Sequence, residues 1–136
     1  MIVADSSVWI DFFRNTPTAP VRRLEAAIER DEVLIGDLIR AEVLQGCRTD
    51  REFEHVLNVT GSFPALLISD EQVAVQSARN YRTLRARGIT IRKTIDALIA
   101  TRCILDDTPL LYTDRDFDPF VQHLGLRSAL DPPGVT

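Results

Sequence analysis

Histidine and cysteine are scarce in this chain, two of each in 136 residues, and lysine occurs once. Neither Cys47 nor Cys103 has a second cysteine or a histidine at metal-ligand spacing. A zinc site or a disulfide is therefore a poorer reading than two small core residues carried by helices. His55 and His123 stand alone as well, and each reads as a surface or boundary residue rather than a catalytic base. The six glycines fall into no GxxxxGK, GxGxxG or GxSxG pattern, and HExxH is absent. The P-loop, dinucleotide, hydrolase-elbow and zinc-protease readings all lack their residues. No apolar run approaches the ~20 residues that span a bilayer, and no basic leader precedes an apolar segment. The expectation is a cytoplasmic protein with no membrane partner.

What remains is an ordinary composition, 45% apolar and 26% charged, without repeats or low-complexity segments. A chain of this length fits one domain and can bury roughly 70% of its unfolded surface. The net charge of −4 argues against indiscriminate nucleic-acid binding. The average conceals a pattern, however: no acid occurs between Gln72 and Ile95, where Arg79, Arg82, Arg85, Arg87, Arg92 and Lys93 supply six positive charges. The run fits either a solvated helix face or a surface for phosphates.

Hydrophobic period and punctuation alternate strand with helix. Residues 1–4 read as a strand, and 6–14 as a helix with Val8, Trp9, Phe12 and Phe13 at helical spacing. A helix over 20–30 with Pro20 in its first turn precedes the strand EVLIG. The next helix starts at Asp37 as N-cap and stops near Gly46. Thr49 with Glu52, and Ser69 with Gln72, have capping-box spacing before two further helices. PALLI between them is a third strand, and Gly88 ends the second of those helices. A helix over 94–106, a fourth strand PLLY, the loop TDRDFDP, a short helix near Phe120 and a weak fifth strand over 124–127 complete the order. Strands separated by helices imply a parallel sheet flanked by helices, with ligands beyond the carboxyl ends of the strands.

Acids gather at that rim. Asp5 ends the first strand, Glu42 lies at the edge of its helix's apolar face, Asp96 sits in a helix's first turn, and Asp114 follows the fourth strand with Asp116 and Asp118 close behind. Singly, each has a plain explanation as a cap, a turn former or a solvated charge. Together they repel, by roughly 4 kcal/mol for a pair 4 Å apart at an effective dielectric of ~20, unless a cation neutralises them. Oxygen ligands without Cys or His select hard cations, Mg²⁺ or Mn²⁺. DRDFDP is not an EF-hand loop, since Pro119 stands where Gly is needed and Gly125 where Glu is needed. A phosphate-accepting receiver domain would want a lysine after a late strand, whereas Lys93 precedes a helix.

The ordered acids in MIVADSSVWIDFF, IRAEVLQGC, TIDALIATRC and YTDRDFD resemble those of PIN-domain ribonucleases, and more narrowly of the VapC toxins of bacterial toxin–antitoxin pairs. The resemblance runs from Met1 to about Leu126. It implies a PIN-like α/β fold with a central parallel sheet of four to five strands over residues 1–127, leaving 128–136 as a flexible tail. It further implies a Mg²⁺- or Mn²⁺-dependent endoribonuclease, a homodimer, and a cognate VapB-like antitoxin seated in the groove. Carried over by motif, the catalytic set is Asp5, Glu42, Asp96 and Asp114, and the metal ligands are Asp5, Asp96, Asp114 and Asp116. Ser6 or Thr113 would orient ligands, and Arg79, Arg82, Arg85, Arg92 and Lys93 would contact RNA. The alternative is a PIN-like RNA-binding or regulatory module without catalysis.

Overall fold

Ile2, Val3 and Ala4 form β1 and are almost wholly buried, the pattern of a central strand covered on both sides. In the computed structural model, which describes residues 1–130, β1 pairs in parallel with β2 (Val33–Gly36) on one side and β4 (Leu110–Leu111) on the other. β3 (Ala65–Leu66) extends the sheet beyond β2, giving the order β3-β2-β1-β4. The chain thus runs outward from β1 through β2 to β3 and returns to β1's other flank. Strand order reverses between β1 and β4, which is where open parallel sheets bind their ligands.

Among the described residues, seven α-helices flank the sheet: α1 (Ser6–Phe13), α2 (Ala19–Glu29), α3 (Asp37–Gln45), α4 (Asp50–Thr60), α5 (Glu71–Ala86), α6 (Thr94–Leu105) and α7 (Asp118–Leu124), the last preceded by a 3-10 turn over Arg115–Phe117. α1 packs on α2 and α3, and α3 on α4, while α5 packs on α6 and α7. Trp9 locks the first group: fully buried, it holds Phe12, Phe13 and Phe63 with ring centroids at 5.7, 6.0 and 5.4 Å. Between α5 and α6 the Asn80 amide donates to the Thr101 hydroxyl at 3.1 Å, so that this buried polar pair is satisfied.

Several expected boundaries move. α3 is capped by Gly36, because the Asp37 carboxylate accepts instead from the Ile68 N–H at 2.9 Å. Asp70, not Ser69, caps α5, accepting from the Val73 N–H at 2.8 Å. Cys47 lies in the loop after α3, whereas Cys103 is in a helix, its thiol pushed up to about 12 by burial. The fifth strand is reduced to one bridge, Leu110 to Ser128, flanked by hydrogen bonds from the Leu110 N–H to the Arg127 carbonyl and from the Ala129 N–H to the Leu110 carbonyl. Ser128 and Ala129, expected in the tail, therefore belong to the sheet edge, and Arg23 holds the Ala129 carbonyl at 2.9 Å. The remainder of that tail, 131–136, lies outside the described residues. Among the described residues no helix is long and apolar enough to cross a membrane.

Candidate metal centre

Asp5 occupies the N-cap position of α1 but makes no side-chain cap bond. The plain capping role fails, and the carboxylate is left for something else. It is 4% exposed, accepts from the Ser7 hydroxyl at 3.1 Å through Oδ2, and leaves Oδ1 buried without a partner. The Thr113 hydroxyl donates to Ser7 Oγ at 3.0 Å, tying the segment after β4 to the one after β1. Burial raises the pKa of Asp5, the Ser6 and Ser7 groups pull it down, and the charge of Asp114 raises it again.

The segments after β4 and at the start of α6 bring three more acids together. One carboxylate oxygen from each of Asp96, Asp114 and Asp116 lies within 4.8 Å of the other two. Asp114 caps the 3-10 turn, accepting from the Asp116 N–H at 2.9 Å, so its rotamer is held by local backbone. Asp96 is 4% exposed in the first turn of α6, and its Oδ2 is a second buried oxygen without a partner. Its pKa is raised to about 6 by burial and by the charge of Asp5, against the opposing charge of Lys93, with Asp114 and Glu42 adding to the rise.

Glu42 reaches the same pocket from α3. It is half-buried, its Oε1 is a third buried oxygen without a partner, and its pKa is raised by burial and then by Asp5. The four predicted catalytic acids are thus linked electrostatically through Asp96, on which the charges of Asp5, Asp114 and Glu42 all bear. Of the predicted metal ligands, Asp96, Asp114 and Asp116 form the compact group, and Asp5 stands beside it. The donors are carboxylates alone, several of their oxygens are buried and unpaired, and the uncompensated charge is negative. That set fits a hard divalent cation.

Other predicted residues divide. Asp118 turns away, accepting from the Tyr112 hydroxyl at 2.9 Å. Ser6 acts on Glu42, and Thr113 reaches Asp5 through Ser7, the second of the two hydroxyls that follow Asp5 in the sequence. Arg79, Arg82 and Arg85 line a depression of about 730 Å³ on α5 together with Gln76 and Thr83. Arg92 and Lys93 do not join them. They face the acids, Arg92 Nη2 at 3.3 Å from Asp116 and Lys93 Nζ at 3.5 Å from Asp114.

A fold of this topology with four acids at the switch point between β1 and β4 defines a class. The family model of the PIN domain matches residues 2–120, and the chain belongs to that family. It is 30% identical to ribonuclease VapC11 of Mycobacterium tuberculosis, with 95% of this chain and 98% of that protein aligned. It is 28% identical to ribonuclease VapC1 of Methanocaldococcus jannaschii, over 93% of this chain and 85% of that one. Among solved structures, the fold matches VapBC2 from Rickettsia felis bound to a promoter DNA fragment, with TM-score 0.72 at 17% identity, covering 94% of this chain and 97% of that one. It also matches a toxin–antitoxin complex from Klebsiella pneumoniae, with TM-score 0.67 at 19% identity, covering 95% and 98%.

Proposed function

We propose that the protein is a Mg²⁺- or Mn²⁺-dependent endoribonuclease acting as the toxin of a toxin–antitoxin pair. The observation that carries this reading is the carboxylate group of Asp96, Asp114 and Asp116 within 4.8 Å, walled by the unpaired buried oxygens of Asp5 and Glu42. The VapC names of its relatives supply the substrate class, RNA. Asp96, Asp114 and Asp116 would hold the ion, with Asp5 completing the wall. When bound, such an ion lowers the pKa of a coordinated water and offsets charge that develops on the phosphate. Glu42, with its raised pKa and free Oε1, orients the attacking water and takes up its proton. Ser7 and Thr113 fix the Asp5 carboxylate, and Arg79, Arg82 and Arg85 supply RNA backbone contacts outside the acid centre.

The neighbours solved as toxin–antitoxin complexes support a cognate VapB-like antitoxin as partner, and the family resemblance implies a homodimer as the toxin's assembly. The deciding experiment is cleavage of RNA in Mg²⁺ by wild type and Asp96→Asn. The variant is expected to lose at least ~100-fold in rate while its metal-free fold melts no lower, because burial of a charge is relieved. Cleavage at the wild-type rate would remove the assigned centre.

A further inference from the structure

Lys93 stands apart from the arginines of α5. It is the chain's one lysine, it precedes α6 with an extended backbone, and its ammonium lies 3.5 Å from Asp114 Oδ2. The charges of Asp96, Asp114 and Asp116 all bear on it. Its side chain is 61% exposed, so it can leave this position without uncovering the core. A lysine is suited to leaving: its charge is compact and sits on a flexible four-carbon stem, whereas an arginine fork would hold the carboxylate through two bonds. Two tasks conflict at Asp114. The same carboxylate that belongs to the compact acid group is already paired with a tethered cation.

We propose that Lys93 is a resident counter-ion of the acid centre, which a divalent cation must displace from Asp114, so that the chain itself raises the metal concentration at which the centre fills. This rests on the metal-dependent reading above. In the metal-free protein the ammonium relieves repulsion among buried and half-buried carboxylates. As a cation enters, the ammonium is repelled and swings toward solvent. An exposed pair is weak, so the expected effect is a modest factor, about 3- to 10-fold in metal affinity.

The test is calorimetric titration of Mn²⁺ alone into the full chain at pH 8, where Asp96, at about 6, is ionised. Lys93→Met is expected to bind Mn²⁺ about 3- to 10-fold more tightly than wild type, and Lys93→Arg no more tightly than wild type, because its fork is harder to displace from Asp114. Without metal, Lys93→Met is expected to melt below wild type, and with saturating Mn²⁺ the gap should close. A residue that merely shaped the start of α6 would lower both melting temperatures together. Equal Mn²⁺ affinity in Lys93→Met and wild type would overturn the proposal and leave the metal-dependent reading standing. Mn²⁺ binding by neither would overturn both.

Discussion

Asp96 shows how a single carboxylate ties stability to function. It is 4% exposed, carries an unpaired oxygen, and has its pKa raised to about 6. The unfolded chain releases this proton near 3.8, so the folded state holds it more tightly. The group's stabilising contribution is complete below about pH 4 and is lost as pH rises through about 6. At neutral pH the metal-free protein keeps a disfavoured charge, worth about 1–2 kcal/mol once solvent at the pocket mouth is allowed for. The stability of wild type relative to Asp96→Asn, followed by urea denaturation without metal, is therefore expected to fall by that amount between pH 4 and pH 7. Saturating Mn²⁺ should flatten the fall. A gap that widened in favour of wild type with rising pH would contradict the assignment. The position of Asp96 in a first helical turn was legible from sequence, but its burial was not, because TIDALIA reads equally well with Asp96 turned to solvent.

At the level of elements, the junction of β2 and α3 aims Glu42, and it depends on Gly36. A methyl group there would meet Ile68 Cδ1 at 2.7 Å and Cγ1 at 2.9 Å, and Ile68 is fully buried with its N–H tied to Asp37. Gly36→Ala is accordingly expected to cost about 1–3 kcal/mol by overpacking and to lower RNA cleavage through the shifted Glu42, measurable by urea denaturation beside an activity assay. Loss of stability with normal cleavage would separate this junction from the site. Most helices were legible because their apolar positions recur at helical spacing and their ends carry cap residues. Where two polar residues stand side by side, as Ser69 and Asp70 do, either could cap, and only the packed structure chose the second. PALLI looked like a full strand because apolar residues are common to strands and buried turns, yet only Ala65 and Leu66 pair, and Leu67 is 64% exposed.

Across the whole molecule, charge is sorted into an acid centre and a basic helix face. Arg82 and Arg85 border both the depression on α5 and a second cavity of about 590 Å³ lined also by Tyr81, Thr94 and Leu98, so the basic face continues to the start of the helix that carries Asp96. Replacing both arginines by glutamine is expected to weaken RNA binding and to flatten its dependence on log salt by roughly 0.7 per lost contact, with Mn²⁺ affinity unchanged. An unaltered salt slope would return these side chains to simple solvation. The acid set was legible because its members follow strand ends or helix starts in order. The separation of Lys93 and Arg92 from the other basic residues was not: Gly88, with φ of +81°, marks the end of α5 in the sequence, but the direction the chain takes beyond it is set by packing. The pairing of β1 with both β2 and β4 also bears on the chain's synthesis. The first strand made must wait for the last strand of the sheet before Asp114 and Asp116 can stand beside Asp5 and Asp96. A nascent chain that has not reached β4 lacks Asp114 and Asp116, so the acid group assembles only after β4 is made.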